Sequence, residues 1–139
     1  MNNLKLIDEL ERDEGLRLKV YADQLGIPTV GIGRNLRDKG ITRGEAYHLL
    51  NNDIDEIQAD LDAALPWWRR LDEVRQRVLA NMCFNLGIHG LLKFEHMLAH
   101  AMISEFDMAA AEMVGTAWAK QVGPRAVRLA EMMRHGGGE

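Results

Sequence analysis

A chain of 139 residues, 47% apolar and 27% charged, has an ordinary globular composition with enough length for one real core, which excludes intrinsic disorder. Its formal net charge of −4 argues against a protein that holds nucleic acid by bulk charge, and gives no help in docking onto an anionic surface. The single cysteine, Cys83, excludes an internal disulfide framework, so packing alone must hold the fold.

The N-terminal stretch MNNLKLIDELERDEG is of mixed charge and lacks the apolar segment of a signal peptide. No apolar run approaches the ~20 residues that span a bilayer. The expectation is a soluble product with no export signal and no stable membrane association. Leu4, Ile7 and Leu10 recur at helical spacing, with Leu6 beside them, and predict an amphipathic helix over 3–14. Gly15 is its natural stop and leaves Glu14 in the last turn. A carboxylate beside unpaired helix carbonyls faces partial negative charge, which favours the protonated form that a general acid needs.

From Leu16 the period changes to two. Leu16, Leu18 and Val20 alternate with Arg17, Lys19 and Tyr21, the pattern of a strand with one buried face, and Asp23 stands at its end. Gln24 to Pro28 reads as a turn. A second short strand follows, with Val30 and Ile32 on one side and Thr29, Gly31 and Gly33 on the other. That second face offers one hydroxyl and two bare backbone positions, which lets a bulky ligand approach; glycine demanded by a twisted sheet is the alternative. Thr42 and Glu45 form a capping-box pattern opening a long helix to about residue 64, its stripe being Ala46, Leu50, Ile54, Ile57, Leu61 and Ala64. The acids Asp53, Asp55, Glu56, Asp60 and Asp62 lack the glycine turn and terminal glutamate of a calcium loop, and read as a solvated face.

Pro66 ends that helix. Trp67 and Trp68, at a helix junction, plug a core more readily than they stack on sugar rings. Val74, Val78, Met82 and Cys83 continue a central buried helix that closes at Gly87, with Cys83 a small core residue rather than a nucleophile. Short helices are predicted near Phe94 to Met102, Phe106 to Val114, Thr116 to Lys120 and Pro124 to Met133. The ending HGGGE has nothing to pack and is expected to be mobile. His96 and His100 stand four apart but lack a third ligand, so no metal site and no cofactor is expected. There is no G-x-S-x-G elbow or phosphate loop, and GIGRNL falls short of a dinucleotide fingerprint.

Glu14 at a helix end, Asp23 at a strand end and Thr29 on the neighbouring strand form the strongest constellation. Glycosidic cleavage needs one acid to protonate the leaving oxygen and one carboxylate to activate water or stabilise positive charge. At these residues RDEGLRLKVYAD…PTVGIG resembles the signature of the bacteriophage-type lysozymes, glycoside hydrolases in which an E…D…T triad spans a helix end and a small sheet. The likeness covers nearly the whole chain. ITRGEAYHLLNNDIDE resembles the family's long inter-lobe helix, LDEVRQRVLANMCFNLG its central helix, and Trp118 with Arg125 its late W…R spacing.

The resemblance implies one α+β domain: a small lobe over about 14–41 with a short antiparallel sheet, an inter-lobe helix over about 42–64, and a helical lobe over about 66–135 joined by the N-terminal helix. It implies Glu14 as general acid, Asp23 as base or stabiliser, and Thr29 as holder of the attacking water, with Gly31, Gly33 and Arg125 on the substrate side. Arg125 is expected to approach Glu14. Inversion is expected, with carboxyls ~6.5–9.5 Å apart. The implied substrate is the β-1,4 bond between N-acetylmuramic acid and N-acetylglucosamine in bacterial peptidoglycan. The implied setting is a monomeric endolysin held in the host cytoplasm until released to the wall. Two departures stand out: Arg34 replaces a histidine of some members, and the interval from Gly33 to Ile41 is short. Arg17, Lys19, Arg34, Arg37 and Lys39 are candidates for a basic cleft. A lytic transglycosylase on the same fold and a non-catalytic wall-binding module are the rival readings.

Overall fold

The structure, a computed structural model, describes residues 1–137. The chain divides into two compact units, Met1–Leu49 and Leu50–Glu139.

The first unit opens with α1 (Asn3–Glu14), whose N-terminus is capped by the Asn2 side chain accepting from the Lys5 N–H at 3.1 Å. Gly15 ends it as expected: at φ 79° it turns away while its N–H donates to the Glu11 carbonyl at 2.8 Å. A three-stranded antiparallel sheet follows in the order β1 (Arg17–Ala22), β2 (Pro28–Gly31), β3 (Arg34–Asn35). Tyr21 pairs with Thr29 and Ala22 with Pro28, and the register shifts between Arg17 and Tyr21. Two features of this hairpin differ from the pattern expected of its sequence. Leu16, Leu18 and Val20 are exposed, not a buried face; in this unit Ile27 and Thr29 are the buried residues among those described. Alternation sets which side a residue is on, whereas burial needs a second layer over that side. The second strand also stops at Gly31, and Ile32 and Gly33 turn the chain into β3, where Val30 pairs with Arg34.

The helix α2 (Arg43–Ala64) begins at the expected capping box: Glu45 N–H donates to Thr42 Oγ1 and Thr42 N–H to Glu45 Oε1. In the second unit its stripe buries Ile57 and Leu61. Asp62 is exposed as expected, and also accepts from the Trp68 indole N–H at 2.7 Å and from Arg69 Nε at 2.6 Å. Those hydrogen bonds, Arg69 first, hold its carboxyl below the usual range. Trp68 is thereby fixed in the core and Trp67 packs half-buried against it.

The helix α3 (Glu73–Leu92) carries Val78, Leu79, Met82 and Cys83 into the core, and Gly87 breaks it at φ 74°. Burial pushes the Cys83 thiol up, with the nearby Asp60 charge adding to it, as for an inert core residue. The remaining helices are α4 (Glu95–Met102), α5 (Phe106–Met113), α6 (Ala117–Val122) and α7 (Pro124–His135), close to the four predicted. Thr116 caps α6 and Pro124 opens α7. The ending is held further than expected: Gly136 closes α7 and Gly137 N–H donates to Asp72 Oδ2 at 2.9 Å. Gly138 and Glu139 lie outside the described residues. No described helix is long and apolar enough to cross a membrane.

Candidate active site

Three of the residues singled out from sequence sit in the first unit on adjoining pieces of backbone. Glu14 is the last residue of α1 and is exposed. Its carboxyl lies directly on Gly33: a β-carbon there would stand 2.9 Å from Glu14 Oε2 and 3.1 Å from Cδ. At φ 68°, Gly33 also needs a torsion that other residues rarely adopt. The bare backbone at Gly33 therefore accommodates the acid. At Gly31, φ 69°, a β-carbon would meet nothing within 4 Å, so that position is open.

Asp23 and Thr29 are both held by the peptide groups of Ile27. Asp23 Oδ1 accepts from the Leu25 N–H at 2.8 Å and the Ile27 N–H at 2.9 Å, an Asx turn completed by Gly26 at φ 78°. The Asp23 N–H donates to the Ile27 carbonyl at 3.0 Å, and the Thr29 hydroxyl donates to that same carbonyl at 2.8 Å. Thr29 is 4% exposed and Asp23 is half-buried. The Thr29 hydroxyl has used its hydrogen on Ile27, so its oxygen is left to accept. Among the described residues Asp23 Oδ2 takes no hydrogen bond. The two peptide groups that flank the Ile27 α-carbon thus hold both side chains, and leave one carboxylate oxygen of Asp23 and the hydroxyl oxygen of Thr29 as acceptors.

The basic residues are less free than their number suggests. Arg34 Nη1 donates to Glu45 Oε1 at 2.8 Å and to the Gly40 carbonyl at 3.2 Å. Arg37 contacts Asp38, and Arg17 lies over the Tyr21 ring at 4.5 Å. Hydrogen bonds from Arg34 and then from the Thr42 backbone lower the Glu45 carboxyl from 4.5 to about 2. Because its folded value lies below the unfolded one, Glu45 contributes stability fully above about 4.5, and the contribution disappears as pH falls toward about 2. The urea midpoint of the native chain should exceed that of Glu45→Gln at pH 6, and the gap should close on acidification through that window; a gap independent of pH contradicts it. The pair is exposed, so the gap is small and shrinks with salt.

In the second unit Arg125 donates from Nε at 2.9 Å and Nη2 at 2.7 Å to Asn81 Oδ1. The Trp118 indole N–H donates to Asn85 Oδ1 at 2.8 Å, and Phe94 packs edge-on to that indole at 5.7 Å. His100 Nδ1 lies 3.4 Å from Glu105 Oε1, and no described cluster of metal-ligating side chains includes His96 or His100. Nothing in the residue pattern named Asn81, Asn85, Ile27 or Glu45 as partners of these side chains. The two asparagines, four apart within an apolar run, were the visible signal. Nothing marked Ile27 or the second role of Glu45.

Residues 11–134 match the family described as phage lysozyme. The chain belongs to the phage lysozyme family. Among its relatives is the pre-baseplate central spike protein Gp5 of Enterobacteria phage T4, 32% identical over 91% of this chain; the match spans 27% of that protein. A probable T4-type lysozyme of Dictyostelium discoideum is 25% identical over 93% of each chain. The endolysin of Salmonella phage P22 is 30% identical over 58% of this chain and 60% of its own. In this phage lysozyme family member the partner of Arg34 is Glu45, at the start of α2.

Proposed function

We propose that the chain is a lysozyme that hydrolyses the β-1,4 bond between N-acetylmuramic acid and N-acetylglucosamine in bacterial peptidoglycan, acting as one catalytic domain without a cofactor. The observation that carries this reading is the joint hold of Ile27 on Asp23 and Thr29, in a chain of the phage lysozyme family. Glu14 protonates the leaving glycosidic oxygen. One water donates one hydrogen to Thr29 Oγ1 and the other to Asp23 Oδ2, which leaves its lone pair facing the anomeric carbon. As the water attacks, Asp23 takes its proton and the sugar–oxygen bond breaks toward the proton supplied by Glu14. The outcome is inversion. Gly31, with open space above its backbone, faces the sugar chain.

As an endolysin, the protein meets the wall after release from the host cytoplasm. Its relatives include both a phage endolysin and a spike component, so the same chemistry is compatible with either delivery. Digestion of purified peptidoglycan in ¹⁸O-water, followed by mass spectrometry of the released muropeptides, tests the reaction. Hydrolysis places one labelled oxygen at each new reducing end. Unlabelled 1,6-anhydro ends would instead identify a transglycosylase, and no release at all a binding module.

A further inference from the structure

The end of the Glu14 side chain rests on the bare backbone of Gly33, where a β-carbon would stand 2.9 Å from Oε2 and push the carboxyl aside. A shift of the hairpin tip therefore shifts the surface on which that carboxyl rests. The tip itself is weakly determined. Beyond the Val30–Arg34 pair it consists of Gly31, Ile32 and Gly33, with the glycines at φ 69° and 68°, and it leads into a strand of only two residues paired to β2 alone. Glycine torsions resist displacement poorly, and a two-residue edge strand adds little.

Beyond the backbone pairing of β3 and the Leu36 N–H on the Pro28 carbonyl at 2.9 Å, the residue after Gly33 ties the far side of the tip to α2. The Arg34 guanidinium bridges the Glu45 carboxylate and the Gly40 carbonyl through one nitrogen. Glu45 Oε1 is in turn pinned by the Thr42 N–H at 2.8 Å, so the tie ends on the first turn of a 22-residue helix. We propose that Arg34 is a positioning residue for the general acid, holding Gly33 at the height on which the Glu14 carboxyl rests, with Glu45 as its anchor. This rests on the assignment of Glu14 as the acid. The pair itself is part-exposed, at 29% and 41%, so its loss should appear in turnover more than in unfolding.

The test compares turnover of a soluble, uncross-linked peptidoglycan fragment by the native chain, Arg34→Met, Arg34→Lys, Gly33→Ala and the Gly33→Ala/Arg34→Met pair, each normalised to folded protein. Arg34→Met should lower kcat about tenfold with KM within about twofold, because misplacing a reacting group costs rate more than binding. Arg34→Lys should recover part of the loss, since an ammonium can reach Glu45 or Gly40 without the planar fork. On the Gly33→Ala background, where the contact is already displaced, Arg34→Met should cost less than about twofold more. Losses that multiply, or an unchanged kcat in Arg34→Met, overturn the proposal. If Arg34→Met does not fold, Glu45→Gln is read in the same way, because it keeps an acceptor for Thr42 while weakening the hold on Arg34. Glu14→Gln is the control: native turnover there would overturn the acid assignment itself, whatever Arg34 does.

Discussion

Asp23→Asn should clear bacterial walls about 10²–10⁴-fold more slowly than the native chain while unfolding within about 2 °C of it. The separation follows from the two oxygens of the carboxylate. Oδ1 is an acceptor for the Leu25 and Ile27 N–H groups, and an amide oxygen can accept both in the same geometry. The other position becomes an NH₂, which donates and so cannot receive a proton from water. Asp23→Ala removes both functions. It should lose the same activity and also cost about 1–2 kcal/mol, because two backbone N–H groups of the turn lose their acceptor. Activity retained in the asparagine variant would mean that Asp23 serves only the turn. Equal destabilisation by Asn and Ala would mean that the hydrogen-bond description of the loop is wrong.

Arg75→Ala should destabilise the protein by about 3 kcal/mol in urea or thermal unfolding. Arg75 is 12% exposed and uses its whole fork. Nε donates to the Met133 carbonyl at 2.7 Å, Nη2 to the Arg134 carbonyl at 2.9 Å, and Nη1 to Asp72 Oδ1 at 2.9 Å, while the guanidinium lies 3.5 Å from the Phe106 ring centroid. The first two acceptors are carbonyls of the last turn of α7, which have no partner within the helix. Truncation orphans both, leaves Asp72 with one fewer donor and exposes the Phe106 face. Arg75→Lys should recover less than half, because an ammonium cannot reproduce the planar fork or the stacking. A change within about 0.5 kcal/mol for Arg75→Ala would place Arg75 among ordinary surface residues.

Much of the helical unit was legible because its boundaries are chemical. Gly15, Gly87 and Gly123 adopt positive φ where a helix stops, Thr116 caps the next one, and Pro124 occupies a first turn that needs no N–H. The antiparallel hairpin from Arg17 to Gly31 was legible from alternation, but its cover was not. Parity along a strand carries no information about what lies over it, and Leu18 is 84% exposed. The strand β3 escaped notice because two residues make no period, and its direction is set by torsions at Gly31 and Gly33.

The candidate site divides in the same way. Glu14, Asp23 and Thr29 could be named from residue type and position at element ends. The means of holding them could not. Ile27 acts through its peptide groups, which every residue has. Arg34 and Glu45 are eleven residues apart, and Glu45 already had a sufficient explanation as a helix cap. Long-range partners of this kind are chosen by the fold and leave no spacing to detect.

The account stands on Glu14 as the group that gives its proton to the departing sugar. The direct measurement is the loss of turbidity of a wall suspension with the native chain and with Glu14→Gln at matched folded concentration. An amide is not acidic enough to transfer a proton there, so the variant should be slower by at least about 10²-fold with its unfolding midpoint preserved. Clearing by Glu14→Gln at the native rate would contradict the account.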